Sequence, residues 1–511
     1  MAGGDVQRRG ELPLAAGGAV LGVAVLVFAV EQISIASVNG WWLDELYSIW
    51  STDPRLTFVK AFLTRFGHDH TPPLYYAALF WVRRLVGVPA GQERIWGYII
   101  SVCCILLACA AVVGVSRRAG LTGFALAGMG AFLLSGPVLQ YAPEVRAYLM
   151  AMAIVFVASW CAALAIERAA RPLHVIGWAV FGILAAATHL YAALWCGGLA
   201  AGLLVLAAFG GRRDLMVPGL ALGLSASGSY GAWAFVTSAP KYWAENPWFT
   251  FTLKNIIHAA GHVRQLEIGG NIAFALLIAL CAWALVHRST RALATAFGTG
   301  FAVFYLVPIA VSFKTPIVID RYWMVGGPAL VVLLLFLGRE WLWEGIDNRS
   351  QGNRALTAPL AMGLGTVALL IASSATGFTY ARARTANKFI WRGGEIVSPL
   401  AGKCPASSIH VLSTGDATQY AQVAQLPTEL FVASNAPVTA SPTARGSCPV
   451  LGWAEHYFDY GPYMASATDE DLLRVLKIDA SPSEVEIRRL RSGYVVLRRG
   501  AYGPAPATPR P

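Results

Sequence analysis

Apolar stretches of membrane-spanning length alternate along the chain with short connections that carry most of its charge. A helix rises 1.5 Å per residue, so about 20 apolar residues cross the hydrocarbon core of a bilayer. Stretches near that length fall at residues 14–33, 72–87, 94–116, 121–139, 147–166, 174–188, 191–209, 215–238, 271–286, 293–311, 322–338 and 355–377. Each is predicted to be helical, because only helices and closed barrels pair every backbone amide in hydrocarbon. The stretch 14–33 runs long and lacks a small-residue cleavage site, so it is expected to be a retained signal anchor.

Arginines orient these helices, since positively charged short loops stay on the cytoplasmic side. One set of connections holds Arg8, Arg9, Arg117, Arg118, Arg168, Arg171, Arg212, Arg213, Arg288, Arg291 and the run from Arg339 to Arg354. The connections around Asp44, Glu144, His189, Lys241 and Asp320 then lie outside, with everything after about residue 378. Placing Asp44 outside and Arg117 inside needs an odd number of crossings between them, yet two stretches intervene. Residues 72–87 form a short stretch that opens on Pro72-Pro73 and carries Arg83-Arg84, so an interfacial or re-entrant helix is expected there.

Beyond residue 378 the periodicity changes. The segment from Cys404 to Cys448 is rich in Ser, Thr, Pro and Ala, and residues 484–499 alternate apolar and basic positions across a turn at Arg491-Ser492-Gly493, a predicted hairpin. Further strands are predicted near 409–413 and 450–453, and a helix near 469–476. The expected fold is mainly α, a polytopic transmembrane helical bundle of about 11 crossings plus interfacial helices, with a small C-terminal α/β extracytoplasmic domain. The expected division is 1–377 transmembrane, 378–501 extracytoplasmic and 502–511 a Pro-rich disordered tail.

Composition agrees: 511 residues, 56% hydrophobic and 13% charged, with mean hydropathy +0.55, are too apolar for a soluble protein and too long for one anchor. The net charge of +11 is scattered in short clusters with no basic stripe, which argues against a nucleic-acid partner. Six of eight cysteines lie in predicted spans, where Cys packs as a small apolar residue. Cys404 and Cys448 alone lie outside, so an oxidising compartment is expected to join them as a disulfide.

The candidate chemistry gathers in the outside loops. Asp44 and Glu45 follow the first span in Trp41-Trp42-Leu43-Asp44-Glu45-Leu46-Tyr47. Next come His68-Asp69-His70-Thr71-Pro72-Pro73-Leu74-Tyr75, then Tyr141-Ala142-Pro143-Glu144-Val145-Arg146-Ala147-Tyr148, then His189, and last Lys314 with Asp320-Arg321-Tyr322. Carboxylates at a membrane lip are costly unless they face a cavity, a partner charge or a substrate. A carboxylate can take the proton of an attacking hydroxyl, cations can hold a departing phosphate, and aromatic rings such as Trp41, Trp42, Tyr47, Tyr75 and Tyr141 offer faces to sugars. Blander readings stand beside these: Asp44-Glu45 as a solvated pair or helix first turn, Glu144 and Arg146 as a helix-end ion pair, Arg321 as a snorkelling cation, and His189 as a packed core histidine.

Four elements in this order resemble the GT-C superfamily of polyprenyl-phosphate-sugar-dependent glycosyltransferases, and within it the family of protein O-mannosyltransferases and the lipid A aminoarabinose transferase. They are Asp44-Glu45 after the first span, His70 with Pro72-Pro73-Leu74-Tyr75-Tyr76, Tyr141 to Tyr148 with Glu144 and Arg146, and Arg321-Tyr322 before a late span. The resemblance covers about residues 14–338. It implies Asp44 as catalytic base or acceptor-orienting group with Glu45 beside it, and Arg146, Arg321 and Lys314 as cations for the donor phosphate. It further implies His70, Tyr75, Tyr141, Glu144 and Tyr322 as substrate contacts. A divalent metal ion is a candidate cofactor, with Glu144 and His70 as its candidate ligands. Mannose specificity does not carry over, because the second and third elements depart from the mannosyltransferase pattern, and neither does metal dependence, which varies across the superfamily.

The expected activity is therefore an integral-membrane inverting glycosyltransferase of the cell inner membrane. Its expected partners are a polyprenyl-phosphate-linked sugar, a lipid, glycan or protein acceptor on the periplasmic face, and the bilayer. The alternatives are a transporter, which would place charges at mid-membrane and show internal repeats, and a non-catalytic cell-envelope polymer assembly protein, which would need no clustered acids and cations.

Overall fold

The computed structural model describes residues 12–38, 43–69, 71–88, 94–167, 173–237, 251–350, 358–385, 410–412, 450–455, 468–475, 478–490 and 493–500. They fall into two compact units. One comprises the described residues up to Ser34 with Leu56–Arg83 and Trp96–Arg382; the other comprises Ile35–Arg55, Arg84–Ile95 and those beyond Ala383.

The first unit is a helical bundle, and the molecule is a polytopic, mainly α membrane protein. Seven helical segments among the described residues are long and apolar enough to cross a membrane: Leu14–Ile35, Arg94–Arg117, Tyr148–Ile166, Leu190–Phe209, Arg291–Ser312, Asp320–Asp347 and Ala358–Tyr380. Three shorter apolar helices, Thr122–Leu134, Val175–Thr188 and Asn271–Val286, accompany them, as does Met216–Thr237. The helices referred to below are α1 (Leu14–Val38), α2 (Leu43–Ser51), α3 (Phe58–Thr64), α4 (Leu74–Leu85), α5 (Arg94–Arg117), α6 (Thr122–Leu134), α7 (Gly136–Tyr141), α8 (Tyr148–Ile166), α9 (Val175–Thr188), α10 (Leu190–Phe209), α11 (Met216–Thr237), α12 (Leu253–Val263), α13 (Asn271–Val286), α14 (Arg291–Ser312), α15 (Asp320–Trp323), α16 (Gly327–Ser350) and α17 (Ala358–Thr385).

Helix α8 is the axis of this unit: Tyr148 and Leu149 and every residue from Ala151 to Ile166 except Ile154 are buried. A helix apolar all round belongs in the core, and α8 packs against α16, α10 and α9. Trp160 on α8 rings against Phe124 at 5.2 Å, Phe336 at 5.0 Å and Phe156 at 5.7 Å. Its indole N–H donates to Ser116 Oγ at 2.8 Å, which satisfies a buried donor. Glycine sets the closest helix contacts. A Cβ on Gly202 of α10 would fall 2.2 Å from the Ala296 carbonyl oxygen of α14, and one on Gly182 of α9 would fall 2.7 Å from the Leu222 oxygen of α11. Without lipid-excluding hydrophobic drive, such close backbone packing is what holds membrane helices together.

In the second unit, four strands form one sheet in the order β1-β2-β4-β3, with β1 His410–Leu412, β2 Val450–Glu455, β3 Val485–Leu490 and β4 Gly493–Arg498. β1 runs parallel to β2, and the other pairings are antiparallel. Helix α18 (Asp469–Val475) supplies Leu472 and Leu473 to a small core with Leu451, Ile478, Val485 and Val496. Cys404, Cys448 and the tail 502–511 lie outside the described residues.

Candidate functional site

The stretch predicted as one helix over 121–139 divides at Ser135. Ser135 is extended (φ −66°, ψ 142°), and Pro137 opens α7, the place in a helix where a missing N–H costs nothing. The break turns the chain aside through Tyr141 and a tight buried turn before α8 begins at Tyr148. In that turn the Glu144 N–H donates to the Tyr141 carbonyl at 3.1 Å and the Arg146 N–H to the Glu144 carbonyl at 2.8 Å.

Around Tyr148, rings from three separate stretches of sequence meet. Its ring centre lies 4.9 Å from Tyr141, 5.7 Å from His189 and 6.3 Å from Tyr322. His189 stands edge-on to Tyr322 at 5.0 Å, and Tyr191 lies 5.4 Å from Tyr322 while its hydroxyl donates to the Ile317 carbonyl at 2.8 Å. The other end of α8 gathers the arginine-bearing connections. Arg339 contacts the Glu167 carboxylate at 2.6 Å and lies over Phe124 and Phe336, and Arg212 donates to the Ala165 carbonyl at 2.8 Å and to that of Ile166. Burial pushes the Glu167 carboxyl up to about 7, against the opposing pull of Arg339.

The element following His70 joins the end of the bundle at which α8 begins. Arg146 donates to the Tyr76 hydroxyl at 2.7 Å, and that hydroxyl donates in turn to the Asp69 carboxylate. Asp69, Tyr76 and Arg146 are 4%, 0% and 5% exposed, so two opposite charges are bridged by one phenol in a water-poor setting. Phe66 stacks on Tyr76 at 5.6 Å, and Tyr75 meets it edge-on at 6.2 Å.

A cavity of about 660 Å³ lies among α12, α13, α14 and α16. Its wall is aliphatic and aromatic, from Ile257, Phe274, Leu277, Phe301, Leu330 and Leu337, with Tyr305 and Trp323 bringing it up to the residue beside Tyr322. One charged side chain, Arg264, enters that wall, and its Nε is shut from solvent with no hydrogen-bond partner. An apolar chamber with a single cation suits an amphipathic molecule with an acidic head. At the opposite face of α12, His258 and His262 reach the Asp320 carboxylate at 3.8 and 3.7 Å, and the Tyr380 hydroxyl meets His262 Nδ1 at 2.9 Å.

In the second unit, α2 begins with the two adjacent acids. Asp44 is half-buried, and its carbonyl accepts from Ser48 Oγ at 2.9 Å. Glu45 is fully buried, its Oε2 3.2 Å from Nη2 of Arg94, itself 11% exposed. Acids in a first helical turn are also favoured by the helix dipole.

The sequence-derived residues are thus distributed as follows. Tyr75, Tyr141, Glu144, Arg146 and Tyr322 are buried, Arg321 is half-buried with its guanidinium 5.6 Å from the Tyr322 ring, and Lys314 is exposed, all in the first unit. Asp44 and Glu45 belong to the second unit. His70, Trp41 and Trp42 lie outside the described residues. Among the described residues no group of three or more His, Cys, Asp or Glu is arranged to hold a metal ion. Sequence reasoning passed over Arg264, Arg94, Tyr76 and the pair His258 and His262. The last carried a visible signal, a four-residue spacing that puts both rings on one helix face.

No known protein family matches the chain, and no curated protein matches it. Among solved structures it is similar to the crystal structure of ArnT from Cupriavidus metallidurans bound to undecaprenyl phosphate. The two are 13% identical over 94% of this chain and 99% of that one, with a TM-score of 0.43.

Proposed function

We propose that the chain is an integral-membrane inverting glycosyltransferase that moves a sugar from a polyprenyl-phosphate-linked donor to an acceptor hydroxyl on the periplasmic face. The observation that carries the reading is the apolar cavity with the Arg264 guanidinium in its wall. A prenyl chain fills such a chamber, and each buried CH₂ contributes about 0.8 kcal/mol, while the guanidinium meets the phosphate. Tyr305 and Trp323 join that cavity to the aromatic cluster of Tyr141, Tyr148 and Tyr322.

The reaction is a single displacement. The acceptor oxygen forms a bond to the anomeric carbon as the bond from that carbon to the phosphate oxygen breaks. The acceptor's proton passes to the Asp44 carboxylate, and polyprenyl phosphate departs with the bonding pair. Arg146, Arg321 and Arg264 stabilise the charge gathering on that phosphate, which is usually the largest single contribution in such a site. Glu45 and Glu144 position the acceptor or a divalent metal ion, and Tyr75, Tyr141, His70 and Tyr322 shape the sugar pocket.

Mass spectrometry of envelope glycolipids and glycans, from cells with the chain, without it and with Asp44→Asn, tests the reading. One sugar-bearing species is expected to vanish in both altered strains while the variant stays in the membrane. Full glycosylation by Asp44→Asn refutes the assignment of Asp44, and identical profiles with and without the chain refute the enzyme.

A further inference from the structure

We infer that the chamber among α12, α13, α14 and α16 grips only the head-proximal part of the donor's tail, about four isoprene units, and that donors with any longer tail are bound alike. This rests on the proposed reading, in which the chamber holds a prenyl chain beneath a phosphate at Arg264.

The chamber has a head end, a floor and an open flank. Arg264 marks the head end, in the short π-helix Arg264–Ile268 that joins α12 to α13. From there the apolar wall follows α13 from Phe274 to Leu285 and α14 from Tyr305 back to Ala294, each a run of about 16 Å at the helical rise. Leu330 to Leu337 of α16 complete it. The floor is charged. Within a turn beyond Leu285, Ala294 and Leu337 the chain reaches His287, Arg288, Arg291 and Arg339. His287 meets Glu344 at 3.4 Å, and Arg339 meets Glu167 and Glu340 at 2.6 and 2.8 Å. A hydrocarbon pushed among these groups would take them out of water at a high cost, so a tail does not continue in line past the floor.

The volume sets the capacity. A heavy atom in a fluid takes on the order of 30 Å³, as a water does in its liquid. A chamber of about 660 Å³ then holds about 20 carbons, or about four isoprene units. On the flank, the wall residues Ile257, Phe274 and Leu285 are exposed. There the bilayer offers the rest of a long chain surroundings as apolar as the wall itself, so units beyond the chamber gain nothing by their length.

The full-length protein in lipid nanodiscs is titrated with geranyl, farnesyl, geranylgeranyl, heptaprenyl and undecaprenyl phosphates, each beside the matching alcohol. Affinity for the phosphates is expected to rise about tenfold per unit from geranyl to geranylgeranyl, well short of full transfer from water because the bilayer already shields the tail. From geranylgeranyl to undecaprenyl it is expected to stay level. Gly298→Leu fills about one unit's share of the chamber, and its rise is expected to stop at farnesyl. A rise that continues to undecaprenyl overturns the inference, as does no dependence on length, or a plateau that Gly298→Leu leaves at geranylgeranyl. In each of these cases a preference for phosphates over alcohols leaves the functional reading standing. Phosphates that bind no more tightly than their alcohols at any length refute that reading, and this inference falls with it.

Discussion

Two acids largely withdrawn from solvent, Glu167 and Glu45, illustrate what a single carboxyl does in this protein. Glu167 ends α8 and meets Arg339, yet burial dominates and holds its carboxyl near 7, above its ordinary 4.5. A raised carboxyl favours the protonated folded form, so its stabilising effect is complete below about pH 4.5 and is lost as pH climbs to about 7. Up to roughly 3 kcal/mol is at stake. The melting temperature of the unaltered protein should therefore fall, relative to Glu167→Gln, between pH 5 and pH 8. Parallel pH dependence of the two proteins would show that Glu167 does not titrate there. Glu45 behaves differently, because Arg94 lies 3.2 Å away and both are nearly or wholly buried. Removing one partner of a buried pair strands the other charge, at a cost of about 3–5 kcal/mol. Arg94→Ala is expected to lower thermal stability by that order, and Arg94→Lys by clearly less. Equal melting temperatures for all three proteins would mean that the pair contributes nothing.

At the scale of the helix, close approach decides more than hydrophobicity. Gly197 and Gly202 sit on the same face-rich apolar helix, but a Cβ on Gly197 meets nothing within 4 Å, while one on Gly202 falls on the Ala296 backbone. Backbone cannot yield as a side-chain tip can, so Gly202→Val is expected to destabilise the α10–α14 pair by at least about 1–3 kcal/mol. Gly197→Ala should be silent. Expression and detergent melting of the two variants check the contrast, and equal behaviour would remove the argument from close packing. The sequence legibly encodes most helices here because a 20-residue apolar run has few alternatives in a bilayer. Stretches predicted at 94–116, 147–166 and 271–286 match Arg94–Arg117, Tyr148–Ile166 and Asn271–Val286 to within a residue. Helix α12 escaped for a physical reason. It is short and amphipathic, with His258 and His262 on one side and Ile257 on the cavity side, and it announces itself only through the Thr252 and Asn255 capping box. The split of 121–139 at Ser135 was also hidden, although Gly136-Pro137 was its local signal. Of the Tyr148 cluster, Tyr141, Tyr148, His189 and Tyr322 stood out in the sequence and Tyr191 did not, because which rings touch depends on packing that no spacing reveals.

For the molecule as a whole, the proposed function makes the donor's selection a matter of shape and charge together. Four helices leave a chamber with one guanidinium in an otherwise apolar wall, and a ligand that satisfies both must pair a long hydrocarbon with an acid. The two requirements are separable. Gly298 lines the cavity, and a Cβ there meets nothing within 4 Å, so Gly298→Leu adds bulk to the chamber without disturbing a helix contact. It should weaken undecaprenyl phosphate by tenfold or more, since each excluded CH₂ forfeits about 0.8 kcal/mol, while a short prenyl phosphate such as farnesyl phosphate binds as before. Arg264→Gln should do the reverse, weakening the preference for phosphate over alcohol by about tenfold at every chain length. Lipid titrations of the two purified variants decide the matter. If Gly298→Leu leaves the long-chain advantage intact, the tail lies elsewhere, and the chamber is a packing defect filled by bilayer lipid and not a donor site.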